Sequence, residues 1–156
     1  QNISAEDERW KRIFALWRWR LDEAQSDTNH VNIDKEIASY CRILKHVPLG
    51  LSDMYQTIDQ TLRYTTEGFE LNQIIEYLGR HYTEDVKKAV LLIRKIINTT
   101  KTFYITADTR DTIKEILSAA LDSGDDAREI IIEIVNTFGK RGEYEWRFLL
   151  DELGEK

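Results

Sequence analysis

Thr83-Glu84-Asp85-Val86-Lys87-Lys88-Ala89-Val90-Leu91-Leu92-Ile93, running on to Ile97, and Gly124-Asp125-Asp126-Ala127-Arg128-Glu129-Ile130-Ile131-Ile132-Glu133-Ile134, running on to Phe138, decide how this chain is read. Set side by side, Asp85 meets Asp126, Val86 meets Ala127, Ala89-Val90 meet Ile130-Ile131, Ile93 meets Ile134, and Ile97 meets Phe138. Apolar residues recur in both at i, i+3, i+4, i+7 and i+11, the spacing of one helix face. The helices before them align as well, Ile74-Ile75 with Ile116-Leu117 and Leu78 with Ala120. The offset is 41 residues for the second helices and 42 for the first. A period of about 40 residues with two helices per unit is that of α-solenoid arrays. The spacing therefore predicts repeat-like units at about 69–99 and 109–139.

Outward from this stretch the pattern stays helical. Ser4 to Ala24 predicts a first helix, with Ser4 as its cap and Glu6, Asp7 and Glu8 at the positive end of the helix dipole. Its inner face holds Trp10, Ile13, Phe14, Trp17, Leu21 and Ala24. Trp19 projects from roughly the opposite side and Leu16 lies between the faces. An outward Trp on a first helix suggests a missing neighbour, such as a preceding repeat, and exposed aromatic surface marks an interface. Arg18 and Arg20 flank the inner stripe, and their stems can cover its margins.

A polar loop at 25–33 leads to a second helix, capped by Asp34 and reaching about Lys45, with Ile37, Ala38, Cys41 and Leu44 inward. Pro48 and Gly50 end it. Ser52 is expected to cap a third helix burying Met54, Tyr55, Ile58, Leu62 and Tyr64. A fourth, about 70–82, buries Leu71, Ile74, Ile75, Leu78 and Tyr82. Thr83 is expected to cap the fifth. Leu92 and Ile96 widen its apolar arc, which places it centrally. The connection Thr99–Thr109 holds Phe103-Tyr104-Ile105, read either as a plug between adjacent helix pairs or as a recognition loop. The sixth helix, about 109–123, buries Ile113, Ile116, Leu117, Ala120 and Leu121. The seventh, 126–138, is expected to end with Gly139 at its C′ position. The last, about 142–153, carries Trp146, Leu149, Leu150 and Leu153.

The fold class that follows is all-α: about eight helices in antiparallel pairs, as a HEAT-like α-solenoid or α-α superhelix. One proline and seven glycines, falling near helix ends, favour it, and no period-2 strand pattern competes. The 156 residues read as a single all-helical domain, the C-terminal fragment of a longer protein, since the chain lacks an initiating Met. A single cysteine, Cys41, rules out an internal disulfide and fits a reducing, cytoplasmic setting; it reads as a small core residue.

Charge narrows the partners. Residues 108–156 hold thirteen acids against seven bases, while residues 1–24 and 25–107 are each balanced, so the net charge of −6 comes from the last third. That acidic end suits the solvated outer face of a terminal repeat. Without a basic stripe, neither nucleic acid nor an anionic membrane surface is an expected partner. No catalytic, cofactor or metal site is expected. Gly139-Lys140-Arg141-Gly142 follows a helix, so it cannot present helix N-terminal amides to a phosphate. His30, His46 and His81 lack zinc spacing. His81 with Glu84 and Asp85 reads as polar surface and capping.

Asp85-Val86-Lys87-Lys88-Ala89-Val90 resembles the second-helix pattern of HEAT repeats, in which an Asp precedes Val-Arg/Lys-x-Ala; Asp126-Ala127-Arg128 is a fainter copy. A longer order is similar to the C-terminal helical region of large prokaryotic multidomain proteins, namely signalling NTPases and sirtuin-like or nuclease-headed proteins of the antiphage-defence type. It runs from Leu16-Trp17-x-x-Arg20-Leu21, through the helical array, to Ile116–Asp125 and Gly142–Leu150. The resemblance implies a sensor or scaffolding tail, with any enzyme elsewhere in the parent chain. The expected function is thus a non-catalytic helical-repeat scaffold binding a protein or another domain of the same chain. A structural dimerisation domain is the alternative, and an enzyme with an unrecognised helical active site the remote one. The candidate interaction surface is Leu16, Trp19, Phe103 and Tyr104.

Overall fold

The structure, a computed structural model, describes residues 8–26, 33–65, 68–99 and 105–154. Among these residues there are eight α-helices and no strand. They are α1 (Glu8–Ser26), α2 (Ile33–Ser39), α3 (Leu51–Thr61), α4 (Gly68–His81), α5 (Val86–Thr99), α6 (Ala107–Ala120), α7 (Asp125–Lys140) and α8 (Phe148–Gly154). Short 3-10 segments stand at Tyr40–His46, Tyr82–Glu84 and Tyr144–Arg147.

Helices two apart in the chain lie side by side. α1 touches α3, α3 touches α5, and α5 touches α7; the 3-10 segment after α2 touches α4, and α4 touches α6. Side-chain links give the directions. Lys87 Nζ donates to Asp126 Oδ2 at 2.9 Å and Arg94 Nη1 to Glu133 Oε2 at 3.0 Å. Both donors sit 39 residues before their acceptors, so α5 and α7 run the same way in register. In the other row Tyr82 Oη donates to Glu115 Oε1 at 3.0 Å across a separation of 33. Gly79 lies against Thr112 at the same separation, so α4 and α6 are parallel too. A Cβ at Gly79 would come within 2.7 Å of Thr112 Cγ2; glycine is what lets these two helices approach at that level.

The core is built mostly from the predicted stripes. Ala89, Val90, Ile93 and Ile97 are buried, as are their aligned counterparts Ile130, Ile131, Ile134 and Phe138. Leu92 and Ile96 are buried as well, which makes α5 the central helix. Tyr77, not expected in the core, is buried on α4 and donates from Oη to the Leu49 carbonyl at 2.8 Å. Ile13, Phe14, Tyr55, Tyr64 and Tyr82 are only partly buried.

Helix ends depart most from expectation. Ser52 does not cap α3: Gly50 stands at the cap, and Glu84 Oε2, from 33 residues away, accepts from Leu51 N at 2.8 Å. Thr83 does not cap α5, because a 3-10 turn intervenes. Asp85 caps it instead, its Oδ1 accepting from Lys88 N at 3.0 Å. The aligned Asp126 lies inside α7, so the two aligned helices begin differently. Asp34 lies in the first turn of α2. The predicted second helix narrows to 3-10 geometry from Tyr40, and the last begins with the 3-10 segment at Tyr144. Gly139 stays helical within α7; the left-handed glycine that turns the chain is Gly142, at φ 82°. The expected cap at Ser4 lies outside the described residues.

Candidate interaction surface

α1 is held in the fold by one face. Trp10, Trp17, Leu21 and Ala24 are buried. Trp17 stacks on Tyr40, with ring centroids 5.5 Å apart. Its Nε1 donates to Thr61 Oγ1 at 3.1 Å, and Arg18 Nη1 donates to Thr57 Oγ1 at 3.0 Å. These bonds fix the helix against α3. On the α2 side, Arg20 grips the Glu36 carboxylate with two bonds of 2.6 Å, and that hydrogen bonding pushes the guanidinium pKa up further.

The outer side of the same helix carries Leu16, 48% exposed, and Trp19, 52% exposed. The Arg20 guanidinium lies 5.4 Å from the centre of the Trp19 indole. A side chain bonded to α2 thus supports the exposed ring, which enters any contact already ordered. Phe103 and Tyr104, the other two predicted surface residues, lie outside the described residues. Their neighbour Ile105 is buried.

A second exposed aromatic was not singled out from the sequence. Phe69 is 57% exposed on the first turn of α4. It lines an open groove of about 620 Å³ with Arg42, Lys45, Gln73 and Glu76. Arg42 lies 5.7 Å from the Phe69 ring centre and 3.6 Å from Glu70 Oε1. Glu70 is a buried carboxylate whose Oε2 has no hydrogen-bond partner among the described residues. The signal for Phe69 was its spacing with Gln73 and Glu76, which puts it on the polar side of α4.

In another hollow the charges are paired within the fold. The hollow between α3 and α5, lined in part by Tyr55, Asp59, Arg94 and Lys95, has Lys95 bound to Asp59 at 2.6 Å and Arg94 to Glu133. Those cations are neutralised in place, which leaves little field for an anion. Cys41 is buried, and burial pushes its thiol up to about 12. That suppresses the thiolate a nucleophile needs. His81 stacks on Tyr77 and lies 3.3 Å from Glu84, the carboxylate that caps α3. No group of three or more metal-ligating side chains occurs among the described residues, and no helix there is long and apolar enough to cross a membrane. Comparison with protein-family models, with curated proteins and with solved structures finds no match to this chain.

Proposed function

We propose that the chain is a non-catalytic helical-repeat scaffold, a short HEAT-like solenoid that recognises a protein partner or another domain of a longer chain. The observation that carries this reading is the parallel placement of α4 beside α6 and of α5 beside α7. Stacked units of this kind have no need of a closed active site, and they leave long helical faces uncovered for a partner. The groove around Phe69 is an opening on the α4 row with an exposed ring, two cations and one acid at its rim. Aromatic and arginine side chains together are what partner proteins anchor on. The resemblance to the helical tails of large prokaryotic multidomain proteins extends the proposal to a cytoplasmic sensor or regulatory tail whose effector lies elsewhere.

The test is differential capture followed by reconstitution. Wild-type chain and a Phe69→Asp variant are used as baits, and each captured protein is purified and titrated by calorimetry. A partner that binds the wild type and loses at least about ten-fold in affinity with Phe69→Asp supports the reading. Partners that bind both equally would remove the groove from it. Turnover of a small-molecule substrate by the purified chain would replace the scaffold with an enzyme.

A further inference from the structure

The outer stripe of α1 is self-complementary in charge. Arg12, Leu16, Trp19 and Glu23 are all exposed, and they follow one another at intervals of four, three and four. That spacing is the one between heptad a and d positions and puts the four side chains on one narrow stripe of the helix, apolar at its middle two positions. The stripe has a basic residue at one end, two large apolar residues in the middle and an acid at the other end. The buried face of α1 is separate, so the seam is free without loosening the fold.

We propose that this stripe is a docking surface for a second copy of the same chain, with two α1 helices packed antiparallel about a two-fold axis. The axis passes between Leu16 and Trp19. In that arrangement Leu16 of one protomer faces Trp19 of its partner, and Arg12 faces Glu23. Each contact occurs twice, as an isologous interface requires. The parallel alternative places Arg12 on Arg12 and Glu23 on Glu23, and like charges in contact are destabilising. The charge order of the stripe therefore selects the antiparallel pair. The Arg20–Glu36 clamp under the Trp19 ring lowers the ordering cost of docking.

The interface is small. Arg12 to Glu23 spans about 17 Å of helix, and a single pair of that length falls below the roughly 1,200 Å² of a stable complex. Association is accordingly weak and concentration-dependent, with a dissociation constant in the micromolar range or above. This proposal is independent of the Phe69 groove, on the other row of helices, and stands or falls separately.

Sedimentation-velocity runs on the full chain from about 1 μM to about 1 mM test it. A monomer–dimer equilibrium is expected. Trp19→Glu should weaken it by at least about ten-fold with an unchanged far-UV circular dichroism spectrum. Arg12→Glu and Glu23→Arg should each weaken it by about five-fold, because each places two like-charge contacts in the seam. The double variant Arg12→Glu/Glu23→Arg should return to within about two-fold of wild type. A chain that remains monomeric throughout overturns the proposal. So does a dimer indifferent to Trp19→Glu. A double variant no tighter than the single ones would overturn the antiparallel geometry and with it the assigned seam.

Discussion

The two ends of the helical array are finished differently. At the C-terminal end Phe138 of α7 is covered by Trp146, whose ring lies 4.4 Å away and nearly parallel. Lys114 Nζ lies 5.7 Å from the centre of that indole and also reaches Glu145, which Arg110 bonds as well. The 3-10 segment and α8 therefore cover Phe138, although Tyr144 and Phe148 on these same elements stay exposed. At the N-terminal end Trp10 and Trp17 point inward, while Leu16 and Trp19 stay open to solvent. Both ends use tryptophan, one as a lid and the other partly as a surface. The difference teaches that residue type alone does not locate the free face. What matters is whether a following element folds back over it.

The largest expected effect falls on the closed end. Phe138→Ala removes the plate on which Trp146 lies and should cost about 3–5 kcal/mol in urea unfolding. A cost below about 1 kcal/mol would show that Trp146 collapses into the gap and that the end is less tightly closed than its stacking implies. The next effect separates tryptophans by their ring nitrogens. Trp17 Nε1 bonds Thr61, whereas Trp10 Nε1 and Trp146 Nε1 are buried without a hydrogen-bond partner among the described residues. Trp17→Phe should cost about 1–3 kcal/mol, and Trp10→Phe and Trp146→Phe about 1 kcal/mol less. Equal costs at all three positions would mean that the Thr61 bond adds nothing.

A third effect belongs to the N-terminal half and depends on pH. The Cys41 thiol, ordinarily ionising at 9.0, is held up to about 12 by burial, with the Glu70 charge adding to the shift and a Thr65 hydrogen bond opposing it. The folded chain keeps a proton that the unfolded chain loses, so this contribution is complete below pH 9 and falls as pH rises toward 12. Between about pH 8 and about pH 9.5 the loss is on the order of 1 kcal/mol. Urea midpoints should fall over that range in the wild type and hold flatter in Cys41→Ala. Parallel slopes in the two proteins would assign the pH dependence to other groups. Tyr77, raised mainly by burial, acts in the same direction at higher pH. The smallest effect is at the open surface. In dilute monomeric solution Trp19→Glu should change stability by no more than about 0.5 kcal/mol. A larger loss would show that the indole is part of the fold and not a free face.

Much of this was legible in the residues, and the division has a physical pattern. The apolar spacing at Ala89-Val90-Ile93-Ile97 and Ile130-Ile131-Ile134-Phe138 specified which sides of α5 and α7 are buried, because helix periodicity is a local property. The wide arc of α5 marked it as central. Trp19 was legible as outward for the same reason, while Leu16, read as lying between the faces, is exposed beside it. Phe69 was not singled out, although its register with Gln73 and Glu76 carried the signal.

What the sequence determined by itself, then, is the helical class, most of the inner faces and the outward side of α1 at Trp19, since each follows from spacing within a few turns of chain. The helix ends, the 3-10 segments and the lateral register were decided only in three dimensions. Arg80 donates to the Leu44 carbonyl at 2.8 Å from 36 residues away, and Arg141 donates to the Ile97 carbonyl from 44. Glu84 caps α3, and Gly79 admits Thr112. Backbone groups left over at a helix end take whichever partner packing brings near. A pattern read along the chain cannot name a partner that lies more than thirty residues away.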